Sequence, residues 1–190
     1  MSDSESLSLR DWLLETGEGV SRLQREAEES VALHFEADGQ KVARYVYSLG
    51  VPWGDVEDVL QEVFLALHRH LVLGGARLHL RGWIFRVAQN LSRKHLRRER
   101  RRRARDGESA YVSRQRAARE DPEREVIERQ RYIRLVRGFQ ELSAQDRQCL
   151  FLRFEGLRYR EISTVLGISL GSVANSIARS LQKLEKVDGK

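Results

Sequence analysis

The sequence LRGWIFRVAQNLSRKHLRRERRRR, residues 80–103, predicts one helix with two different halves. Apolar side chains recur every three or four residues in the first half, which is the period of a single helix face. They are Trp83, Ile84, Val87, Ala88 and Leu91. Arginine dominates the second half, where Glu99 is the only acid. We therefore expect a helix that begins in a core and ends as a strongly cationic rod.

A cationic helix end favours a polyanionic partner, most plausibly nucleic acid. The chain as a whole has a formal net charge of +6. Its first 36 residues contain nine acids and three bases, so the rest of the chain carries +12. The alternative interpretation of the arginine run is a basic face that contacts only solvent.

Composition favours an all-α fold. A chain of 190 residues has room for one large or two small domains, and a hydrophobic fraction of 41% can form real cores. Two prolines and few runs of alternating β-branched residues argue against strands. Cys149 is the only cysteine, which excludes an intrachain disulfide and suits a reducing compartment.

The sequence also predicts a soluble, cytoplasmic protein without membrane insertion. It contains no secretory segment and no apolar run near the length of about 20 residues that a membrane helix needs. The five histidines have no plausible set of partners for a metal ion. Because we find no catalytic pair either, we expect a protein that is not an enzyme and holds no metal or cofactor.

A long helical pattern precedes the opening stretch, from Val20 to Leu49. Asp38-Gly39 interrupts it, and glycine weakens a helix interior by about 1 kcal/mol relative to alanine. We expect a kink or two helices at that point. The more N-terminal residues are acidic and rich in serine, and they form either a solvated tail or a segment that screens the basic helix or binds a regulator.

A second helix is predicted to begin at Asp55, where Asp58 follows in the position of a capping-box acid. Its apolar stripe comprises Val56, Val59, Leu60, Val63, Phe64, Leu67 and Leu71. The opposite face carries Asp58, Gln61 and Glu62, which are either a binding surface or an ordinary solvated face.

The last fifty residues predict a helix-turn-helix. Ser143 caps a helix, and a short helix then runs from Tyr159 to Leu166. Gly167 supplies the left-handed residue of the turn, and Ser169 caps a final helix that reaches about Lys186. In such a unit the second helix enters the major groove of DNA. A helical hairpin without DNA is the alternative.

Three segments together resemble one protein family. They are DVEDVLQEVFLALHRHL at 55–71, LRGWIFRVAQNLSRKHLRR at 80–98, and the helix-turn-helix region at 142–184. In this order the segments resemble the bacterial RNA polymerase sigma factors, specifically the extracytoplasmic-function (ECF) group that keeps regions two and four.

The resemblance implies two small helical domains joined by a flexible linker. The acidic extension would cover residues 1–29, region two residues 30–105, the linker residues 106–122 and region four residues 123–187. The implied function is promoter-specific initiation with core RNA polymerase, through recognition of the minus-ten and minus-thirty-five DNA elements. The implied partners are the β′ clamp helices and the β subunit of the polymerase, promoter DNA, and an anti-sigma factor as a further candidate.

The resemblance also implies three sets of site residues. Core polymerase would be bound by Asp55, Asp58, Gln61 and Glu62. The minus-ten element would be contacted by Asn90, Arg93, Lys94, Arg97 and Arg98. The minus-thirty-five element would be contacted by Arg160, Ser169, Ser172, Ala174, Asn175, Ser176 and Arg179. Trp83 matches the family's core tryptophan, for which packing is favoured over base stacking.

This chain departs from the family at several positions. Lys94 stands where relatives usually have aspartate, and the final helix lacks two expected cations. The rival functions are a helix-turn-helix regulator that acts without polymerase and a basic RNA-binding or chromatin-like protein. Co-purification with core polymerase separates the first rival from a sigma factor, and binding without sequence preference identifies the second.

Overall fold

The structure is a computed structural model that describes residues 9–106 and 135–188, with side-chain surroundings from residue 21 onward. Every regular element in these two ranges is a helix, which confirms the predicted all-α fold. The helices are α1 (Leu9–Ser48), α2 (Trp53–Val72), α3 (Leu80–Asp106), α4 (Ala144–Phe154), α5 (Tyr159–Leu166) and α6 (Leu170–Asp188). A helical segment at 135–140 precedes α4. The predicted linker, residues 106–122, lies outside the described residues except for Asp106, which ends α3.

Helix α1 runs without interruption through Asp38-Gly39, so the predicted alternative of two helices at that point is wrong. The Asp38 side chain is almost fully buried, and its carboxylate accepts hydrogen bonds from Lys41 Nζ at 3.3 Å and Arg81 Nε at 3.0 Å. Tertiary contacts of this kind override the weak helix propensity of a single glycine. The sequence feature that suggested a break is therefore a contact point between α1 and α3.

Helix α2 begins two residues earlier than predicted. Its N-cap is Pro52, which offers no side-chain cap, and the expected capping box that starts at Asp55 does not form. Asp55 lies in the first turn of the helix, and its carboxylate lies 3.1 Å from His95 Nε2 on α3. The acidic first turn still complements the helix dipole.

Helices α1, α2 and α3 form an N-terminal unit around one core. The predicted apolar stripe of α2 is buried except for Leu60, which is partly buried. Helix α3 contributes Ile84, Phe85 and Ala88, each with no exposed surface. Buried α1 residues, including Val42 and Tyr45, complete the core. Burial thus anchors the first half of α3, as its periodicity predicted.

Helices α4 to α6 form a C-terminal unit that contains the predicted helix-turn-helix. Ser143 Oγ accepts the Asp146 backbone N–H at 3.1 Å, which confirms Ser143 as the cap of α4. Gly167 has a φ of 70°, a left-handed conformation that favours glycine, and it ends α5. Ser169 Oγ accepts the backbone N–H of Ser172 at 3.1 Å and caps α6. Buried Ile162, Val173 and Ile177 hold α5 against α6.

The two units are in direct contact in this structure. Their buried apolar side chains form one continuous cluster that includes Tyr45 and Phe85 from the first unit and Leu152 and Ile162 from the second. Helix α3 packs against α5 at this boundary. No helix within the described ranges is long and apolar enough to cross a membrane, and no group of three metal-ligating side chains occurs there.

Candidate polymerase and nucleic-acid interfaces

The polar face of α2 is available to a partner. Asp58, Gln61 and Glu62 are exposed, while the opposite side of the same helix is buried. Asp55, which was predicted to act with them, is half-buried and directed toward His95. The structure therefore places three of the four predicted residues on one exposed surface, whereas the fourth, Asp55, is partly exposed and pairs with His95 on α3.

An apolar groove of about 810 Å³ borders this face between α1 and α2. Its lining includes the exposed side chains of Phe35, Trp53 and Leu65, with Gln61 and Glu57 at its polar edge. Phe35 contacts Phe64 edge to face, with ring centroids 5.0 Å apart. Sequence analysis did not identify the groove, because it forms between two helices and Leu65 lies outside the stripe of α2.

The five predicted minus-ten residues are all exposed along α3: Asn90, Arg93, Lys94, Arg97 and Arg98. Asn90, Arg93, Lys94 and Arg97 are spaced so that they cover one side of about two turns. Further along α3, Arg102 and Arg103 lie near Glu99, with nitrogen-to-oxygen distances of 3.2 and 3.8 Å. Within the described residues, Lys94, Arg97 and Arg98 are thus freer to meet phosphates than Arg102 and Arg103.

Arg93 is positioned by a buried polar chain that sequence analysis missed. Gln89 is fully buried, and with its amide nitrogen facing the Tyr45 hydroxyl, its oxygen accepts Arg93 Nη2 at 2.7 Å and Nε at 3.1 Å. Burial raises the pKa of the Tyr45 hydroxyl. The sequence signal for this buried polar chain was the glutamine at position 89, which interrupts an apolar stripe of α3.

Trp83 packs rather than projecting freely. Its ring stacks on the His70 ring with centroids 4.6 Å apart, and it is partly buried against the core. His70 in turn lies 3.0 Å from the Ala76 carbonyl oxygen in the loop between α2 and α3. The tryptophan therefore connects that loop to α3.

Only some of the residues predicted to contact the minus-thirty-five element are exposed on the helix-turn-helix. Asn175 is exposed, and Ser172 and Ala174 are partly exposed. Ser169 is exposed, although its hydroxyl is engaged in capping α6. Arg160 on α5 is also exposed.

Ser176 is a wrong prediction, because its side chain has no exposed surface. Its Oγ accepts a hydrogen bond from Gln145 Nε2 at 3.1 Å and faces α4. A residue one position after Asn175 points about 100° away around the helix, which turns it into the core. Ser176 is a packing residue and cannot contact base edges in this structure.

Arg179 is held by an acid of α4. Its Nη2 lies 2.7 Å from Asp146 Oδ1, and its Nε lies 3.3 Å from Oδ2. Burial of Asp146 opposes its ionisation, but hydrogen bonds from Arg179, Ser176 and Ser143 outweigh that cost and lower the pKa of the carboxyl. The same pairing raises the pKa of the Arg179 guanidinium. The Arg179 side chain therefore connects α6 to α4. Its contact with DNA stays a prediction.

Family profiles match both parts of the chain. The profile for sigma-70 region 2 matches residues 34–102, and the profile for sigma-70 region 4 matches residues 132–184. The RNA polymerase sigma factor NccH of Alcaligenes xylosoxydans xylosoxydans is 32% identical over 152 residues, which cover 77% of this chain and 80% of the relative. The chain belongs to the RNA polymerase sigma factors.

Other relatives agree with this membership. The RNA polymerase sigma-H factor of Pseudomonas aeruginosa is 30% identical over 70% of this chain and 72% of its own. The ECF RNA polymerase sigma-E factor of Escherichia coli K12 is 27% identical over 87% of this chain and 90% of its own. This sigma factor therefore directs promoter-specific transcription together with core RNA polymerase, and its family is not one of enzymes.

Two solved structures share the fold of this sigma factor. CnrH, in complex with the cytosolic domain of CnrY, aligns with a TM-score of 0.58 at 22% identity, covering 88% of this chain and 93% of CnrH. The sigma factor RpoE of Bartonella quintana, in complex with the anti-sigma factor NepR, aligns with a TM-score of 0.62 at 16% identity, covering 86% of this chain and 96% of RpoE. At these identities the likeness concerns the fold alone.

Proposed function

We propose that this sigma factor binds the β′ clamp helices of core polymerase through Asp58, Gln61 and Glu62. The supporting observation is that all three side chains are exposed on one face of a helix whose other face is a rigid core. A polar surface on a rigid helix loses little conformational freedom on binding. Asp55 acts indirectly, since its pairing with His95 joins α2 to α3.

Helix α3 would contact the opened minus-ten strand. Asn90, Arg93, Lys94 and Arg97 present donors to phosphates and bases along one side of the helix. Unstacking a base costs a few kcal/mol, and capture of that base by the protein offsets the cost. The loop at 73–79, which Trp83 and His70 brace against α3, is the candidate site of capture.

Helix α6 would read the minus-thirty-five element through a smaller set than the sequence predicted. Asn175, which is exposed, and Ser172, which is partly exposed, would face the groove, and Ala174, Ser169 and Arg160 would flank them. Asparagine can bind adenine through two hydrogen bonds. Arg179 would position the recognition helix through Asp146 and add a phosphate contact from its exposed edge.

An anti-sigma factor is the proposed regulator, and the cytoplasm is the proposed location. The two solved structures hold their sigma factors in complexes, one with an anti-sigma factor and one with the cytosolic domain of CnrY. The apolar groove between α1 and α2 supplies a surface of the kind that a helical regulator binds. The β subunit of core polymerase is a further proposed partner.

The experiment replaces Asp58 and Gln61 with alanine and measures affinity for core polymerase and run-off transcription. We expect core affinity to fall by about tenfold or more, because each lost interfacial polar contact is worth about 1 kcal/mol. Helical content should not change, since both residues are exposed. Glu185→Ala, which removes an exposed acid near the end of α6, is the matched control. Unchanged core affinity in the double variant would refute this assignment of the binding face.

A further inference from the structure

We propose that a cavity between α3 and α5 is a binding site for a nucleoside polyphosphate. The cavity measures about 1090 Å³, which is large enough for such a ligand, since small-molecule sites in proteins commonly measure about 300–1,000 Å³. One wall comes from residues 78–86 and the other from residues 156–164. The two walls meet at Gly82, where a Cβ atom would lie 3.4 Å from Glu161 Cβ. The site goes beyond the proposed function, which assigns no small molecule.

The walls of this cavity are strongly cationic. Its lining contains four arginines and a single acid, Glu161. The arginines are Arg81, Arg86, Arg158 and Arg160, and the last three are exposed. Within the described residues, none of these three forms an ion pair with a carboxylate. Such guanidinium groups favour a ligand with several phosphates, because each can bind phosphate oxygens through two parallel hydrogen bonds.

The remaining two charged groups hold the walls in place. Arg81 Nε donates to Asp38 Oδ1 at 3.0 Å, and Arg81 Nη2 donates to the Glu155 carbonyl oxygen. Glu161 Oε2 accepts the backbone N–H of Arg158 at 2.7 Å, which caps α5. The single acid is therefore occupied by the helix that carries it, and three arginines of the lining remain available to a ligand.

The start of α5 strengthens the attraction for phosphate. Helix α5 begins at Tyr159, and its first residues line the cavity. The first turn of a helix has backbone N–H groups without intrahelical partners and carries the positive end of the helix dipole. Both features favour an anion, and here they occur in the same cavity as the three available arginines.

Two aromatic rings line the same cavity and offer a surface for a base. Tyr159 is 39% exposed, and the guanidinium carbon of Arg153 lies over its ring, 5.7 Å from the centroid. Trp83 is partly buried and stacks on His70, with centroids 4.6 Å apart. Any nucleobase can stack on a ring that is held in this way, because every base has a π face. Arginines and aromatic rings together favour a nucleotide over a simple phosphate.

A bound nucleotide would compete with promoter DNA. Arg160 belongs to the residues proposed to contact the minus-thirty-five element. Arg86 precedes Asn90 by four residues, so the two lie on the same side of α3. Phosphates of the ligand would occupy both arginines and reduce their attraction for DNA. This competition rests on the proposed function, whereas binding of the nucleotide does not.

The test measures binding of GTP and ATP to the full chain by isothermal titration calorimetry at about 0.15 M salt. Arg86→Ala and Arg158→Ala should each weaken nucleotide binding by about fivefold or more, because each removes one charged phosphate contact. Arg100→Ala is the matched control, since it removes an exposed arginine of α3 outside the cavity and should keep the wild-type affinity. Equal losses in R86A and R100A would mean unspecific attraction and would overturn the site, as would undetectable binding to the wild type.

Glu161→Gln should increase nucleotide affinity. Glutamine can still accept the Arg158 N–H in a capping box, but it removes the only negative charge of the lining. We expect binding of GTP to become about threefold tighter or more, because the potential inside the cavity becomes more positive. Damage to the fold would not produce a gain, and an unchanged or lower affinity in E161Q would contradict the electrostatic role of the cavity.

Inorganic tripolyphosphate identifies the contribution of the base. GTP should bind about tenfold more tightly than tripolyphosphate, and Tyr159→Ala should reduce that difference. Equal affinities in the wild type would overturn the assignment of a nucleotide.

A labelled single-stranded minus-ten oligonucleotide distinguishes a free nucleotide from a DNA strand. GTP should displace it from the wild type and less effectively from R158A. If the oligonucleotide binds and GTP does not, the cavity belongs to the DNA surface and the nucleotide site is refuted. If GTP binds and the oligonucleotide does not, the proposed DNA contacts fail and the nucleotide site stands.

Discussion

Asp146 and Arg179 show how a single ion pair can connect stability to DNA reading. The carboxylate of Asp146 is buried at the start of α4, and its partner lies on the recognition helix. Because three hydrogen bonds stabilise the charged form, the pKa of Asp146 is lowered. A lowered carboxyl pKa contributes stability above the unfolded-state value, about 3.9, and that contribution disappears as the pH falls through the folded-state value.

Asp146→Asn should therefore destabilise the protein in a pH-dependent manner. At pH 7 we expect the free energy of unfolding to fall by about 1–3 kcal/mol, since a charged partner of a buried hydrogen-bonded cluster is lost. The difference from the wild type should narrow below about pH 4, as Asp146 in the wild type becomes protonated. Urea unfolding at several pH values measures this, and a difference that stays constant down to pH 2 would contradict the assignment.

For single residues, the sequence indicated which helix would carry the DNA-contacting side chains better than it indicated which side of that helix each side chain occupies. Asn175 is exposed, but its neighbour Ser176, which was predicted to contact the same DNA element, is buried against Gln145. Ser176 lies three residues after Val173 and one before Ile177, so the apolar period of α6 already places it on the buried side. The pairing of Arg179 with Asp146 was missed because it depends on the position of α4, which a single sequence does not contain.

The apolar periods of the sequence predicted the individual helices well. The predicted helix boundaries were wrong where tertiary contacts outweighed local helix-breaking or capping residues. The bounds of α5 and the start of α3 agree with prediction. The division into two helices predicted at Gly39 is absent, because buried α1 side chains on both sides of it, including Ala27 and Val42, pack in the core. The capping box at Asp55 is absent because α2 already begins at Trp53.

Gly39→Ala should stabilise α1. A Cβ atom at this position would lie 3.5 Å from the Phe35 ring, which is ordinary van der Waals contact, and alanine has the higher helix propensity. We expect the free energy of unfolding to rise by about 0.5–1 kcal/mol in urea titrations. Gly167→Ala is a contrasting control, because its φ of 70° makes any side chain unfavourable and should lower stability. A destabilised G39A protein would indicate that α1 is strained at this point.

The cations of α3 should differ in their effect on DNA binding. Arg97→Ala should reduce the slope of log affinity against log salt for a single-stranded minus-ten oligonucleotide by about 0.7, the value for one phosphate contact. Arg102→Ala should change the slope less, because the Arg102 guanidinium already pairs with Glu99 at 3.2 Å. Equal changes in the two variants would show that the whole run acts as a uniform electrostatic surface.

The whole molecule is the level at which sequence analysis could say least. Regions two and four, their order and their helices are all encoded in local patterns. Their contact involves Glu155, Arg44 and Gly82, which lie far apart in sequence, and no local pattern predicts that they meet. A polar segment between two domains predicts that the domains do not pack against each other. In this structure a shared cluster of buried side chains joins them.

Unfolding should reveal whether the two units behave as one. All three tryptophans, at residues 12, 53 and 83, belong to the N-terminal part of the chain, so their fluorescence reports that part, while far-ultraviolet circular dichroism reports all the helices. In the wild type the two signals should change together in urea, because coincident transitions indicate a single cooperative unit. Glu155→Arg removes the ion pair with Arg44 and should separate the transitions, since the C-terminal unit would no longer share its stability with the N-terminal core. Separate transitions in the wild type would mean that the contact is too weak to make the two units one cooperative unit.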